Sequence, residues 1–95
     1  MIVRIVKMTF REDKIDEVKG FLSRVRNQIE SAPGCRSLDI LQDSLDHGIF
    51  FSHSIWRSET DLFNYRNSAF FKQTWSTVKK WFSEKPEAWS LNPLT

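Results

Sequence analysis

Most of the side chains able to act on a small aromatic molecule fall in one stretch, Gly48 to Phe71. Histidine is the side chain most often used as a general base near neutral pH, which makes His53 a candidate. Tyr65 can hydrogen-bond a phenolic oxygen, and Arg66, next to it, can stabilise the anion left when that oxygen loses its proton. Trp56, Phe71 and Trp75 supply flat apolar surface for a ring, and Ser52 and Ser54 add small hydroxyls beside Trp56. Each has a plainer reading. A strand histidine is more often satisfied by a neighbour than catalytic. Tyr65 can be a core aromatic with its hydroxyl at the rim, and Arg66 can pair with Asp61 or a chain terminus. Trp56, Phe71 and Trp75 can be core.

The elements that must hold these groups follow from periodicity. Ile2 to Phe10 is nearly continuous apolar sequence with β-branched residues, interrupted by Arg4, Lys7 and Thr9, and reads as a strand with both faces covered. Arg11 to Ser31 changes period: Ile15, Val18, Leu22, Val25 and Ile29 recur at three and four, the stripe of an amphipathic helix. Pro33-Gly34 ends it. Arg36 to Gln42 and Ile49 to Trp56 read as two arms of a hairpin closed by a polar turn at Asp43–Gly48. The second arm puts Ile49, Phe51, His53 and Ile55 on one face and Phe50, Ser52, Ser54 and Trp56 on the other. Ser58 can cap a short helix reaching about Arg66. Ser68 can cap another, striped by Phe71, Trp75, Val78 and Phe82 with Phe70 and Trp81 beside the stripe. Ala88 to Leu91 is a last short strand. The order β-α-β-β-α-β predicts an α+β, ferredoxin-like single domain over residues 1–95: a four-stranded antiparallel sheet with helices on one face. The open face leaves apolar side chains without cover, and a homodimer pressing two such faces together relieves a cost of about 25 cal/mol per Å².

Composition narrows the functional classes. The 95 residues include eight Phe, four Trp and one Tyr, thirteen aromatics in all, more than a small core accommodates, which points to an interface, a lined pocket or both. A net charge of +2 with mixed signs gives no concentrated basic face for nucleic acid. The apolar N-terminus carries Arg4 and Lys7 and lacks a small-residue cleavage site, and no apolar run nears the roughly 20 residues that cross a bilayer. A cytoplasmic protein without membrane attachment is the expectation. Cys35 has no partner for an internal disulfide. With His47 and His53 it does not make a zinc set, and the isolated glycines form no phosphate loop.

Four segments carry a family resemblance: Pro33-Gly34-Cys35, the strand Phe50–Trp56, the turn Trp56-x-Ser58-Glu59-x-x-Leu62, and Tyr65-Arg66-x-Ser68-x-x-Phe71. Together they resemble the antibiotic biosynthesis monooxygenase (ABM) domain across nearly the whole chain. The resemblance implies a dimeric α+β barrel. It also implies oxidation of a quinol or anthrone-like polyphenol by O₂ with no metal or organic cofactor. For such chemistry His53, Tyr65 and Arg66 are the catalytic candidates, and Trp56, Ser52, Ser54, Phe71 and Trp75 the substrate-binding ones. Some members degrade haem, relying on an Asn, a Trp and a His. Trp56 matches the Trp, but the first strand has no Asn, and Tyr65 or Phe70 stands where the His would be. Ser54 also stands where many relatives carry a carboxylate. A non-catalytic dimeric module that binds a small ligand or supports a pathway partner is the alternative, and a metabolite-isomerising relative a third.

Overall fold

A computed structural model describes residues 1–95. The chain runs β1 (Ile2–Thr9), α1 (Ile15–Glu30), β2 (Cys35–Gln42), β3 (Ile49–Trp56), α2 (Glu59–Arg66), α3 (Ala69–Val78) and β4 (Glu87–Leu91). The strands form one sheet in the order β2-β3-β1-β4, every neighbouring pair antiparallel. This is the expected α+β, ferredoxin-like arrangement.

Local chemistry fixes the boundaries. A 3-10 turn at Glu12–Lys14 precedes α1, so the long helix starts at Ile15, the first residue of its apolar stripe, and not at Arg11. Gly34 has φ 86°, which a residue with a Cβ adopts only at a cost, and its carbonyl accepts from the Arg57 amide at 2.8 Å. The turn after α1 is thereby stitched to the end of β3. Ser58 and Ser68 both act as N-caps, accepting from the Asp61 and Phe71 amides at 3.1 Å. Those two caps divide the second helical region into α2 and α3.

The helices cover the even-numbered face of the sheet. Ile2, Met8, Phe10, Leu38, Phe50 and Trp56 are buried there. The opposite face carries Val3, Ile5, Lys7, Asp39, Leu41, Phe51, His53, Ile55, Trp89 and Leu91. Its outer members are open: Leu41, Trp89 and Leu91 are 53%, 41% and 43% exposed.

The buried side chains form two separate clusters. Met8, Phe10, Val18, Leu22, Phe50 and Val78 pack together at one end. Ile2, Trp56 and Leu62 pack at the other, with Ala32, Cys35 and Tyr65 against them. The sequence explains the gap between them. Midway along the sheet, the helix-facing positions are polar, small or aliphatic, with no ring among them. One row across the strands reads Leu38, Ser54, Arg4, Ser90, and the next reads Ile40, Ser52, Val6, Ala88. No aromatic side chain stands in these rows, and the space between them and the helices is left open.

Candidate functional site

That gap is a cavity of about 270 Å³. Its floor is Arg4, Val6, Met8, Leu38, Ile40, Ser52, Ser54, Trp56 and Ala88. Its roof is Leu22 and Ile29 from α1, Leu62, Tyr65 and Arg66 from α2, and Phe71, Thr74, Trp75 and Val78 from α3. Arg66 and Ala88 are exposed and mark the side open to solvent. An apolar cavity of 150 Å³ holds benzene, so this one takes a larger ring system of about two fused rings.

An aromatic series runs along one side. Trp56 and Tyr65 lie with ring centroids 4.9 Å apart at 30°. Tyr65 meets Phe71 edge-on at 5.2 Å, and Phe71 stacks on Trp75 at 5.9 Å and 11°. These contacts stiffen the wall and present ring faces to a flat ligand.

The polar atoms in the cavity are few. Trp56 is 1% exposed, and its Nε1–H donates to Ser54 Oγ at 2.9 Å. The Ser54 hydroxyl in turn sits 3.5 Å from the Arg4 carbonyl, its acceptor. Ser54 therefore fixes the indole, which answers why a serine sits in a strand otherwise flanked by bulky groups. Tyr65 is half-buried between the small cluster and the cavity, and burial pushes its phenol well above the ordinary value, so it is neutral and available as a donor. Burial likewise raises the nearby Cys35 thiol, against a small opposing effect from the Ser37 backbone. That thiol is a poor nucleophile at neutral pH.

Arg4 is the surprise. It stands on the helix-facing side of β1 among Ile2, Val6 and Met8, and one of its guanidinium nitrogens, NH1, donates to Ser90 Oγ at 3.0 Å. Burial, and then the charge of Arg66, lowers its pKa from the usual value. The ion pairs of the fold are Lys7–Glu87, Arg11–Asp13, Arg26–Glu30 and Arg57–Asp61. Neither Arg4 nor Arg66 belongs to one. Asp61, the partner that sequence offered to Arg66, is held by Arg57 at 2.9 and 3.2 Å. That pairing holds its carboxyl below the usual range.

Of the sequence candidates, Ser52, Ser54, Trp56, Tyr65, Arg66, Phe71 and Trp75 line the cavity. His53 does not. Strand side chains alternate in direction, and since Ser52 and Ser54 face the helices, His53 faces the other way. It lies across from Ile5 and Asp39 on the open face. Within one chain, His53 cannot act as base on a ring held in the cavity. No other histidine and no carboxylate lines the cavity. Phe70, expected beside the α3 stripe, turns instead to a shallow polar groove with Pro33 and Asn64. Arg4 escaped the sequence reading. The signal was there: a charge at an even position of a strand whose other even positions are apolar. No three side chains among His, Cys, Asp and Glu gather closely enough to hold a metal ion.

The antibiotic biosynthesis monooxygenase family model matches residues 1–76. The chain belongs to that family. A Nitrosomonas europaea protein assigned to the same monooxygenases superposes with a TM-score of 0.91 at 24% identity, each chain covered in full. A second antibiotic biosynthesis monooxygenase gives 0.93 at 16% identity, again over 100% of both chains. A Mycobacterium tuberculosis protein gives 0.89 at 21% identity over 99% of this chain and 95% of its own. At such identities these likenesses speak to the fold of this ABM domain. No curated protein matches its sequence. No helix is long and apolar enough to cross a membrane.

Proposed function

We propose that this ABM domain oxidises a small aromatic compound, a quinol or anthrone-like polyphenol, with O₂ and without a metal or organic cofactor. The observation that carries the reading is the aromatic cavity with two unpaired guanidiniums at its polar side, Arg4 and Arg66. Such a substrate reacts with O₂ once it has lost a proton, because the anion is the better reductant. For an anthrone the balance is one O₂ consumed, one oxygen atom retained as the new carbonyl and the other released as water.

In that scheme Tyr65 donates a hydrogen bond to the ring oxygen. Arg66 supplies positive charge at the solvent-open rim that favours the anion. Trp56, Phe71 and Trp75 hold the ring flat, with Ser54 fixing the indole. The proton leaves to solvent at the open side, since the cavity lining offers no His, Asp or Glu. Catalysis then rests on lowering the substrate's own pKa.

We also assign the open sheet face to a second copy of the chain. Val3, Ile5, Phe51 and Ile55 form its apolar centre, and His53 lies within it, so its role is at the interface. Sedimentation at micromolar concentration measures this directly, with a dimer expected and a monomer against the assignment.

Oxygen uptake with a panel of hydroquinones and anthrones tests the activity. Uptake above buffer, reduced at least about tenfold by Arg66→Gln, supports it. The lack of a protein base favours a second reading, a non-catalytic module that binds an aromatic ligand. Ligand-dependent melting without turnover would establish that one in its place.

A further inference from the structure

Arg4 is expensive to keep. A guanidinium does not shed its proton, so its charge is half-buried beside Arg66 whether or not a ligand is present. Its one side-chain partner in the fold is the neutral hydroxyl of Ser90 at 3.0 Å. A charge that gives up part of its hydration gains from a counter-charge, and each of the four ion pairs of the fold involves other residues. Oxidation of a simple phenol generates one negative charge, for which Arg66 suffices. The cavity holds two positive charges and no negative one.

We infer that the ligand of this cavity is an aromatic acid: a ring system of about two fused rings bearing a carboxylate that Arg4 receives, in addition to the ring oxygen beside Tyr65 and Arg66. The inference rests on the proposed function for the role of that ring oxygen, and on the floor of the cavity for the rest. The Leu38, Ser54, Arg4, Ser90 row places the guanidinium between Ser54 and Ser90, at the polar strip of an otherwise apolar floor. One terminal nitrogen, Nη1, is engaged by Ser90, and the remaining N–H groups of the guanidinium have no partner in the fold. A planar fork of N–H donors matches the two oxygens of a carboxylate. The carboxylate also supplies the counter-charge that the fold lacks, and relieves the repulsion between Arg4 and Arg66.

The test is calorimetric titration with three probes of one shape: naphthalene-2-carboxylate, naphthalene-2-carboxamide and 2-naphthyl phosphate. The carboxylate is expected to bind at least about tenfold tighter than the amide, and tighter than the phosphate. Arg4→Gln is expected to bring the carboxylate-to-amide ratio close to one. Its melting temperature without ligand should hold or rise, since an uncompensated charge is removed. If that variant fails to fold, Arg4→Lys, which keeps the charge and loses the planar fork, is expected to reduce the same ratio several-fold. Equal affinity for acid and amide, or a ratio unmoved by Arg4→Gln in folded protein, overturns the inference, as does tighter binding of the phosphate. None of these readouts involves O₂. Oxygen uptake failing while the acid preference stands removes the oxygenase reading alone. Uptake proceeding with neutral quinols while the preference is absent removes this inference alone.

Discussion

The two ends of the core are built differently. At the Phe10 end, apolar side chains meet apolar side chains: Phe10 contacts Phe50 edge-on at 5.6 Å and Phe82 at 5.2 Å, with Val18 fully enclosed beside them. At the Trp56 end, one large ring is held by a hydroxyl, a tyrosine and a pair of aliphatic neighbours. The first end needs nothing but volume and is interchangeable with any dense packing of the same shape. The second has polar atoms with defined partners, and the cavity lies between the two ends, lined by Met8, Leu22 and Val78 of the first and by Trp56 and Leu62 of the second. The larger cluster lies at one end, and the two guanidiniums without an ion-pair partner, Arg4 and Arg66, line the cavity between the ends.

That contrast can be broken by experiment, beginning with the packed end. Phe50→Ala should lower unfolding free energy by about 3–5 kcal/mol in urea titration, with the fluorescence of an intact Trp56 site retained in the folded fraction. A loss below about 1 kcal/mol would mean that the end is not the anchor.

Next comes the stitch beneath the small end. Gly34→Ala forces a Cβ onto the Asp61 side chain at positive φ, and should cost about 1–3 kcal/mol. The Arg57–Asp61 pair should be disturbed with it. Asp61, with its lowered pKa, favours the fold above the ordinary carboxylate range and ceases to do so as pH falls through its folded value. The wild type should therefore lose stability in acid more steeply than Gly34→Ala.

Ser54→Ala takes away the acceptor of a buried indole N–H, at a cost of about 1–3 kcal/mol. Its ring should become mobile, visible as a shift in tryptophan emission, whereas an unchanged spectrum would deny the hydroxyl its positioning role.

Tyr65→Phe sharpens the comparison through pH. The folded phenol holds its proton more tightly than the unfolded one. The stability this adds is complete below the ordinary phenol value of about 10 and drains away as pH rises from there toward the folded value. Wild-type melting temperature should fall across alkaline pH, and the fall should flatten in Tyr65→Phe.

The smallest stability change is expected from Ser52→Leu, which fills the floor of the cavity. It should leave the melting temperature within a few degrees while abolishing binding of naphthalene-2-carboxylate in calorimetry. Persisting affinity would place the ligand elsewhere.

Much of the fold was legible because it is written in local periods. The stripe Ile15, Val18, Leu22, Val25 and Ile29, the caps Ser58 and Ser68, and the alternation from Ile49 to Trp56 each settle an element without reference to the rest. The site was legible in part. Tyr65, Arg66, Trp56, Phe71 and Trp75 lie close in sequence, and helical spacing brings the last three turns of that run to one wall. His53 misled because a titratable group in an aromatic strand draws attention whichever way it points. Arg4 was passed over because one charge among β-branched residues reads as an ordinary strand with a solvated position.

The sequence alone determined the kinds of element, their order, and which residues share a face of each strand. It could not choose the face that meets the helices, because β3 carries large apolar groups on both, Phe51 and Ile55 against Phe50 and Trp56. Period two sorts side chains into two sets and is silent about which set is inward. The tertiary structure made that choice, and with it the fate of the charges. Arg4 and Arg66 lie far apart in the chain, on β1 and α2, and share a space only because helices α2 and α3 close over the row that contains Ser54. A cavity is a property of what fails to meet across that row, and no segment encodes it by itself.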